Sequence, residues 1–112
     1  MTSLIIKDIQ KGNGKEAVKG ALITTHYRGF LSDGTLFDSS YDKNKPFQCV
    51  IGTGRVIKGW DQGILGMKVG GKRTLEVPAH LAYGERAMGK VIPANSDLKF
   101  EIELLEVLTR DN

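Results

Sequence analysis

A single cysteine, Cys49, occurs in the 112 residues, so no internal disulfide can form. The two histidines, His26 and His80, lie far apart in the chain, and zinc-ligand spacing is absent. With three prolines the chain is neither collagen-like nor a proline-rich linker. No apolar run approaches the roughly 18 residues of a membrane span, and no internal repeat or low-complexity tract is visible. A large excess of one charge is also missing: 16 basic residues are interleaved with 13 acidic ones, for a net of +3. A pI near 9.1 is therefore only a faint pointer to nucleic acid. The early apolar stretch Leu4-Ile5-Ile6 is too short for a secretion signal, and Lys7 follows at once. The expectation is one cytoplasmic domain over residues 1–112, with no metal and no cofactor.

What is abundant is glycine, 14 of 112 residues against a usual share of about 7 %. Hydrophobic residues at 40 % and charged residues at 26 % give a globular balance. Strands are expected at Leu4–Gln10, Ala21–Ser32, Phe47–Ile51, Arg73–Val77 and Leu98–Leu104. The second has Ile23, Thr25, Tyr27, Gly29 and Leu31 on one face, and the last alternates Leu98, Phe100, Ile102 and Leu104 with charged residues. Asp33-Gly34 reads as a two-residue hairpin signal, because both residues tolerate positive φ, and the chain returns through Thr35–Asp38. Val56, Trp60 and Ile64 share one face of a short helix expected over Val56–Leu65; alone it would not be stable, so it must pack on something. Pro78–Ser96 is a long irregular loop, a common place for function. About five strands and one short helix imply an α+β fold, a twisted antiparallel sheet wrapped around the helix.

Familiar chemical motifs fail in context. Gly12-Asn13-Gly14-Lys15-Glu16-Ala17 has dinucleotide-site glycines, but Gly20 stops the helix that should follow. Gly66–Lys72 has P-loop glycines, but Arg73 stands where a magnesium-binding Ser or Thr belongs. Cys49 alternates with Phe47 and Ile51 and reads as a buried small hydrophobe rather than a thiolate. His26 reads as an exposed strand residue without a catalytic partner. Asp33, Asp38 and Asp42 are too loosely spaced for a calcium loop. What remains is aromatic: Tyr27, Phe30, Phe37, Tyr41, Phe47, Trp60, Tyr83 and Phe100. A core alone could use them all.

Eight blocks then occur in register: His26-Tyr27-Arg28-Gly29, Gly34–Ser40, Asn44-Lys45-Pro46-Phe47, Val56–Asp61, Gly66–Gly70, Ala82-Tyr83-Gly84, Ile92-Pro93 and Phe100–Leu105. Together they resemble the FKBP-type peptidyl-prolyl cis-trans isomerases, from about Ile9 to Val107. The resemblance implies a pocket between helix and sheet, walled by Tyr27, Phe37, Phe47, Val56, Ile57, Ile92 and Phe100 and floored by Trp60. It assigns catalysis to Tyr27, Phe37, Asp38 and Tyr83, with Asp38 and Tyr83 polar at the rim, and makes the Ile57 N–H a donor to a ligand carbonyl. Six of the eight aromatics thus belong to the pocket. Met88 stands at the tip of the long loop, where relatives contact bound peptide or drug, and Ala94 replaces a common second proline. The implied partners are proline-containing peptides, folding proteins and macrolides of the tacrolimus or rapamycin type. Neither a nucleic acid nor a membrane is expected as a partner, and the expected state is a monomer. The competing functions are a binding module that holds proline without turnover, and a nucleic-acid binder suggested only by pI.

Overall fold

The structure, a computed structural model, describes residues 2–110. Six strands form one antiparallel sheet: β1 Ile5–Gln10, β2 Leu22–Leu31, β3 Leu36–Ser39, β4 Phe47–Val50, β5 Lys72–Val77 and β6 Leu98–Leu108. One α-helix, α1, spans Lys58–Gly63, and one 3-10 turn spans Ala79–Leu81. The sheet order is β1-β5-β6-β2-β3, with β4 also paired to β2. The strand β2 is long enough to serve two partners on one edge. Its first half, Leu22–Thr25, pairs with β4, and Arg28–Phe30 pairs with β3. The segment expected only as a return through Thr35–Asp38 is therefore a true strand, and the sheet has six strands.

Burial follows the alternation in sequence. Ile23, Leu75, Val77, Leu98 and Leu104 are fully enclosed on the concave face, where they meet Ile64 and Ile51. In β6 the alternation slips once. Thr24 pairs with Glu106 and Thr25 with Leu104, which leaves Leu105 as a bulge. The bulge turns Val107, rather than Glu106, into the core.

Two local expectations are corrected. Only Gly34 takes positive φ in the β2–β3 connection. Gly34 N–H donates to Leu31 O, and Asp33 accepts from the Thr35 N–H at 2.9 Å. The loop is thus longer than a two-residue hairpin, because the Asp33 side chain caps the turn instead of its backbone entering the left-handed region. The helix is six residues long, not ten. Val56 and Ile57 precede it, with Ile57 extended at ψ 150° as the N-cap, and Ile64 is its C-cap.

The short helix can reach the sheet because two of its residues lack a side chain. A Cβ on Gly59 would lie 2.4 Å from Val77 Cγ1, and one on Gly63 would lie 2.7 Å from Leu75 Cδ1. Glycines four apart put both bare backbones on one helix face, and β5 packs directly against it. That close seat brings Trp60 down onto the concave sheet.

Candidate active site

Trp60 is 5 % exposed and stands at the centre of a ring cluster. Tyr27, Phe47 and Phe100 each meet it edge to face, with centroids at 5.2, 5.8 and 5.4 Å and interplanar angles of 82, 81 and 87°. Phe37 meets Phe100 in the same way at 5.8 Å. Perpendicular walls on one floor make a box, whereas parallel stacking would have filled the space. The result is a cavity of about 530 Å³ lined by Tyr27, Phe37, Asp38, Phe47, Val56, Ile57, Trp60, Tyr83 and Phe100, with Gly54 and Arg55 at its edge.

Phe37 and Asp38 are neighbours on β3, and strand neighbours normally face opposite ways. Here Gly29 pairs with Asp38 and Phe30 with Leu36, so Phe37 is the extra residue of a bulge. The bulge lets both side chains enter the same cavity. Gly29 makes room for them: a Cβ there would meet Phe37 Cζ at 2.6 Å and Phe100 Cε1 at 3.0 Å.

Polar groups gather at one rim. The Tyr27 hydroxyl donates to Asp38 Oδ2 at 2.5 Å, and Lys43 Nζ lies 2.7 Å from Asp38 Oδ1. Burial alone pushes the Asp38 carboxyl up. The hydrogen bonds from Lys43 and Tyr27, the Lys43 charge and the Ser39 backbone outweigh it and hold the group below its ordinary value. Burial, with Asp38 beside it, pushes the Tyr27 phenol up to about 12. The Tyr83 phenol is also raised, by burial and then by the Asp38 charge. Asp38 is therefore an anion at neutral pH, and both phenols are neutral donors. The Ile57 N–H has no backbone acceptor among the described residues and borders the cavity.

All the residues expected at the site line this cavity except Ile92 and Met88. Ile92 is 5 % exposed and packs in the same hydrophobic core as the box residues Tyr27, Trp60 and Phe100. Its carbonyl accepts from Met88 N–H at 2.8 Å, closing a tight loop that turns the isoleucine inward. Met88 is 43 % exposed on the outer side of that loop. His26 is also corrected, because it is not an isolated exposed residue. Its Nδ1 lies 2.8 Å from Ser40 Oγ, and its ring stacks on Tyr41 at 4.4 Å. Buried Ser40 accepts the Tyr27 N–H at 2.7 Å and so fixes the end of β3 beside the tyrosine. Cys49 is half-buried rather than buried as expected; burial and the Asp61 charge still push its thiol up to about 11, far from a thiolate at neutral pH.

Three contributors went unread in the sequence. Lys43 holds Asp38. Asp61 accepts the Gly52 and Gly54 N–H groups at 2.7 and 2.8 Å, clamping the loop that carries Arg55, Val56 and Ile57. Arg55 itself borders the cavity. Only the i, i+7 and i, i+9 spacing of Asp61 to two glycines could have hinted at the clamp.

Against known proteins, the FKBP-type peptidyl-prolyl cis-trans isomerase family model matches residues 13–105. The chain belongs to this family, and it is a peptidyl-prolyl cis-trans isomerase, accelerating rotation about X–Pro peptide bonds. Among its relatives, the FK506-binding protein of Neisseria meningitidis serogroup A is 57 % identical over 107 residues, covering 96 % of this chain and 98 % of that protein. The FK506-binding protein 1A of Neurospora crassa is 49 % identical over 108 residues, covering 96 % and 90 %. The crystal structure of AtFKBP13 superposes with a TM-score of 0.88 at 48 % identity, covering 94 % of this chain and 93 % of that one.

Proposed function

We propose that the aromatic box catalyses by seating the proline ring on Trp60 and taking the preceding amide out of water. A planar amide is polar because of resonance, and its rotation barrier is about 18–20 kcal/mol. At a 90° twist the conjugation is lost and the dipole falls. Burying an amide without a compensating hydrogen bond costs about 2–7 kcal/mol, so an apolar box disfavours the planar form more than the twisted one. Each ~1.4 kcal/mol of that difference is tenfold in rate. Contacts with the proline ring and its flanking residues offset the desolvation. The Tyr83 hydroxyl and the Ile57 N–H hold substrate carbonyls, and the Asp38–Tyr27 pair stabilises the rotated amide.

The observation that carries this reading is the walling of buried Trp60 by three perpendicular rings with an open cavity above them. On the same reading the protein assists folding of X–Pro-containing chains, acts as a cytoplasmic monomer, and binds macrolides of the tacrolimus or rapamycin type. The names of its relatives support the macrolide part. Among the described residues no helix is long and apolar enough to cross a membrane. The test is a protease-coupled X–Pro assay with and without rapamycin. Accelerated isomerisation that rapamycin abolishes supports the reading. Tight peptide binding without turnover would make the protein a binding module instead.

A further inference from the structure

A second cavity, of about 980 Å³, lies where the segment around residues 15–22 meets β4 and the end of β6. Its floor is apolar, with Leu22 and Val50 half-buried and Val18 and Leu108 exposed at 44 % and 47 %. Among the described residues its rim carries Lys15, Lys19, Arg55 and Arg110 against one carboxylate, Glu16. Among the described residues four cations against one anion give this groove a formal charge of +3. Lys15 Nζ donates to Thr109 Oγ1 at 2.6 Å. Among the described residues Lys19, Arg55 and Arg110 have no ion-pair partner. Asp111 follows Arg110 in sequence and lies outside the described residues.

The groove is joined to the active site. Arg55 lines both cavities, held there by the loop that Asp61 clamps. We propose that the groove is a client subsite: it receives an acidic stretch of the same polypeptide whose X–Pro bond occupies the aromatic box, with Arg55 at the junction. This rests on the isomerase reading of that box. Cations on the rim pair with carboxylates, and the exposed valine and leucine take aliphatic side chains between them. No aromatic side chain lines the groove, so it lacks the stacking platform of a single-stranded nucleic-acid site. The subsite does not touch the rotating amide. Its binding is equal in ground and transition states, so it lowers KM and leaves kcat alone.

The experiment compares X–Pro peptides bearing acidic, neutral or basic tails, attached on either side of the proline. An extended residue spans about 3.3–3.6 Å, so tails starting about four residues from the proline reach past one arginine side chain. The acidic-tailed peptide is expected to show a KM about fivefold lower than the neutral one, a few exposed ion pairs' worth. The gain should fade with added salt and vanish in Lys19→Glu/Arg110→Glu, while the untailed peptide keeps its kcat/KM. Lys19→Gln/Arg110→Gln serves if the reversed variant does not fold. Equal KM for all tails, or an acidic preference kept in the variants, overturns the proposal. So does a proline-free acidic peptide that binds as tightly as the tailed one, which would mark a separate polyanion surface. If the untailed peptide is not isomerised, the isomerase reading fails by itself. Fluorescence anisotropy then still decides whether acidic tails tighten binding of the proline peptide.

Discussion

Tyr27 and Asp38 are joined by a 2.5 Å hydrogen bond at the rim of the aromatic box. The two residues sit on adjacent strands, and the bulge at Phe37 is what turns Asp38 toward the tyrosine. Tyr27→Phe removes the donor and leaves the ring against Trp60. A hydrogen bond to a charged group contributes about 1.5–3 kcal/mol. The expected outcome is a fall of roughly tenfold in kcat/KM and a lower urea midpoint, with the fold still cooperative. Measuring kcat/KM together with the urea midpoint separates the two, and a loss of stability without loss of activity would assign the bond to packing.

The same pair contributes to stability on both the acid and the alkaline side. The folded Asp38 value is depressed, so its contribution is present above the usual carboxylate value near 4 and is lost as pH falls through the lower folded value. The folded Tyr27 value is raised to about 12, so its contribution is full below the usual value near 10 and is lost between 10 and 12. Urea midpoints across pH should show both flanks. Asp38→Asn should make the acid flank shallower, and Tyr27→Phe the alkaline one, each leaving the share of the other shifted groups.

The pocket was legible only through the family resemblance of the eight blocks, since the residues by themselves read equally well as a core. Tyr27, Trp60 and Phe100 could be placed on inward faces by alternation and helical spacing alone. The box they form could not, since edge-to-face angles belong to three dimensions. Ile92 could not be placed by pattern alone. An isoleucine beside a proline in an irregular loop has no periodicity to say which way it faces, and the Met88–Ile92 bridge turns it into the core. His26 is another such case: Ser40 and Tyr41 lie just past the end of β3, and only the β2–β3 pairing brings them back to it. The helix was overestimated because apolar spacing continues through Val56 and Ile64, which flank the hydrogen-bonded turns without belonging to them.

Gly59 is expected to be intolerant of a single methyl group. Alanine is favoured over glycine in a helix by about 1 kcal/mol, but its Cβ would lie 2.4 Å from Val77 Cγ1. Overpacking of this kind costs about 1–3 kcal/mol. Gly59→Ala should therefore destabilise, and Val77→Ala in the same chain should return part of the loss. A double-mutant cycle on urea midpoints measures the coupling. Additive losses would mean that the helix does not seat on Val77.

Cys49 is expected to be inert. With its thiol pushed up to about 11, alkylation by iodoacetamide at pH 8 should be slow. Cys49→Ala should keep kcat/KM within about twofold, since no covalent step is involved. Rapid alkylation with loss of activity would argue for a nucleophile.

The central claim is that an apolar box, and no acid–base group, speeds the rotation. Across pH 6–9 Asp38 stays ionised and Tyr27 and Tyr83 stay neutral, given the directions in which each is shifted. Exchange NMR on an X–Pro peptide over that range tests the claim most directly. Cis–trans exchange should run well above the buffer rate and stay level from pH 6 to 9. Exchange equal to the buffer rate, or a bell-shaped profile within that window, would contradict it.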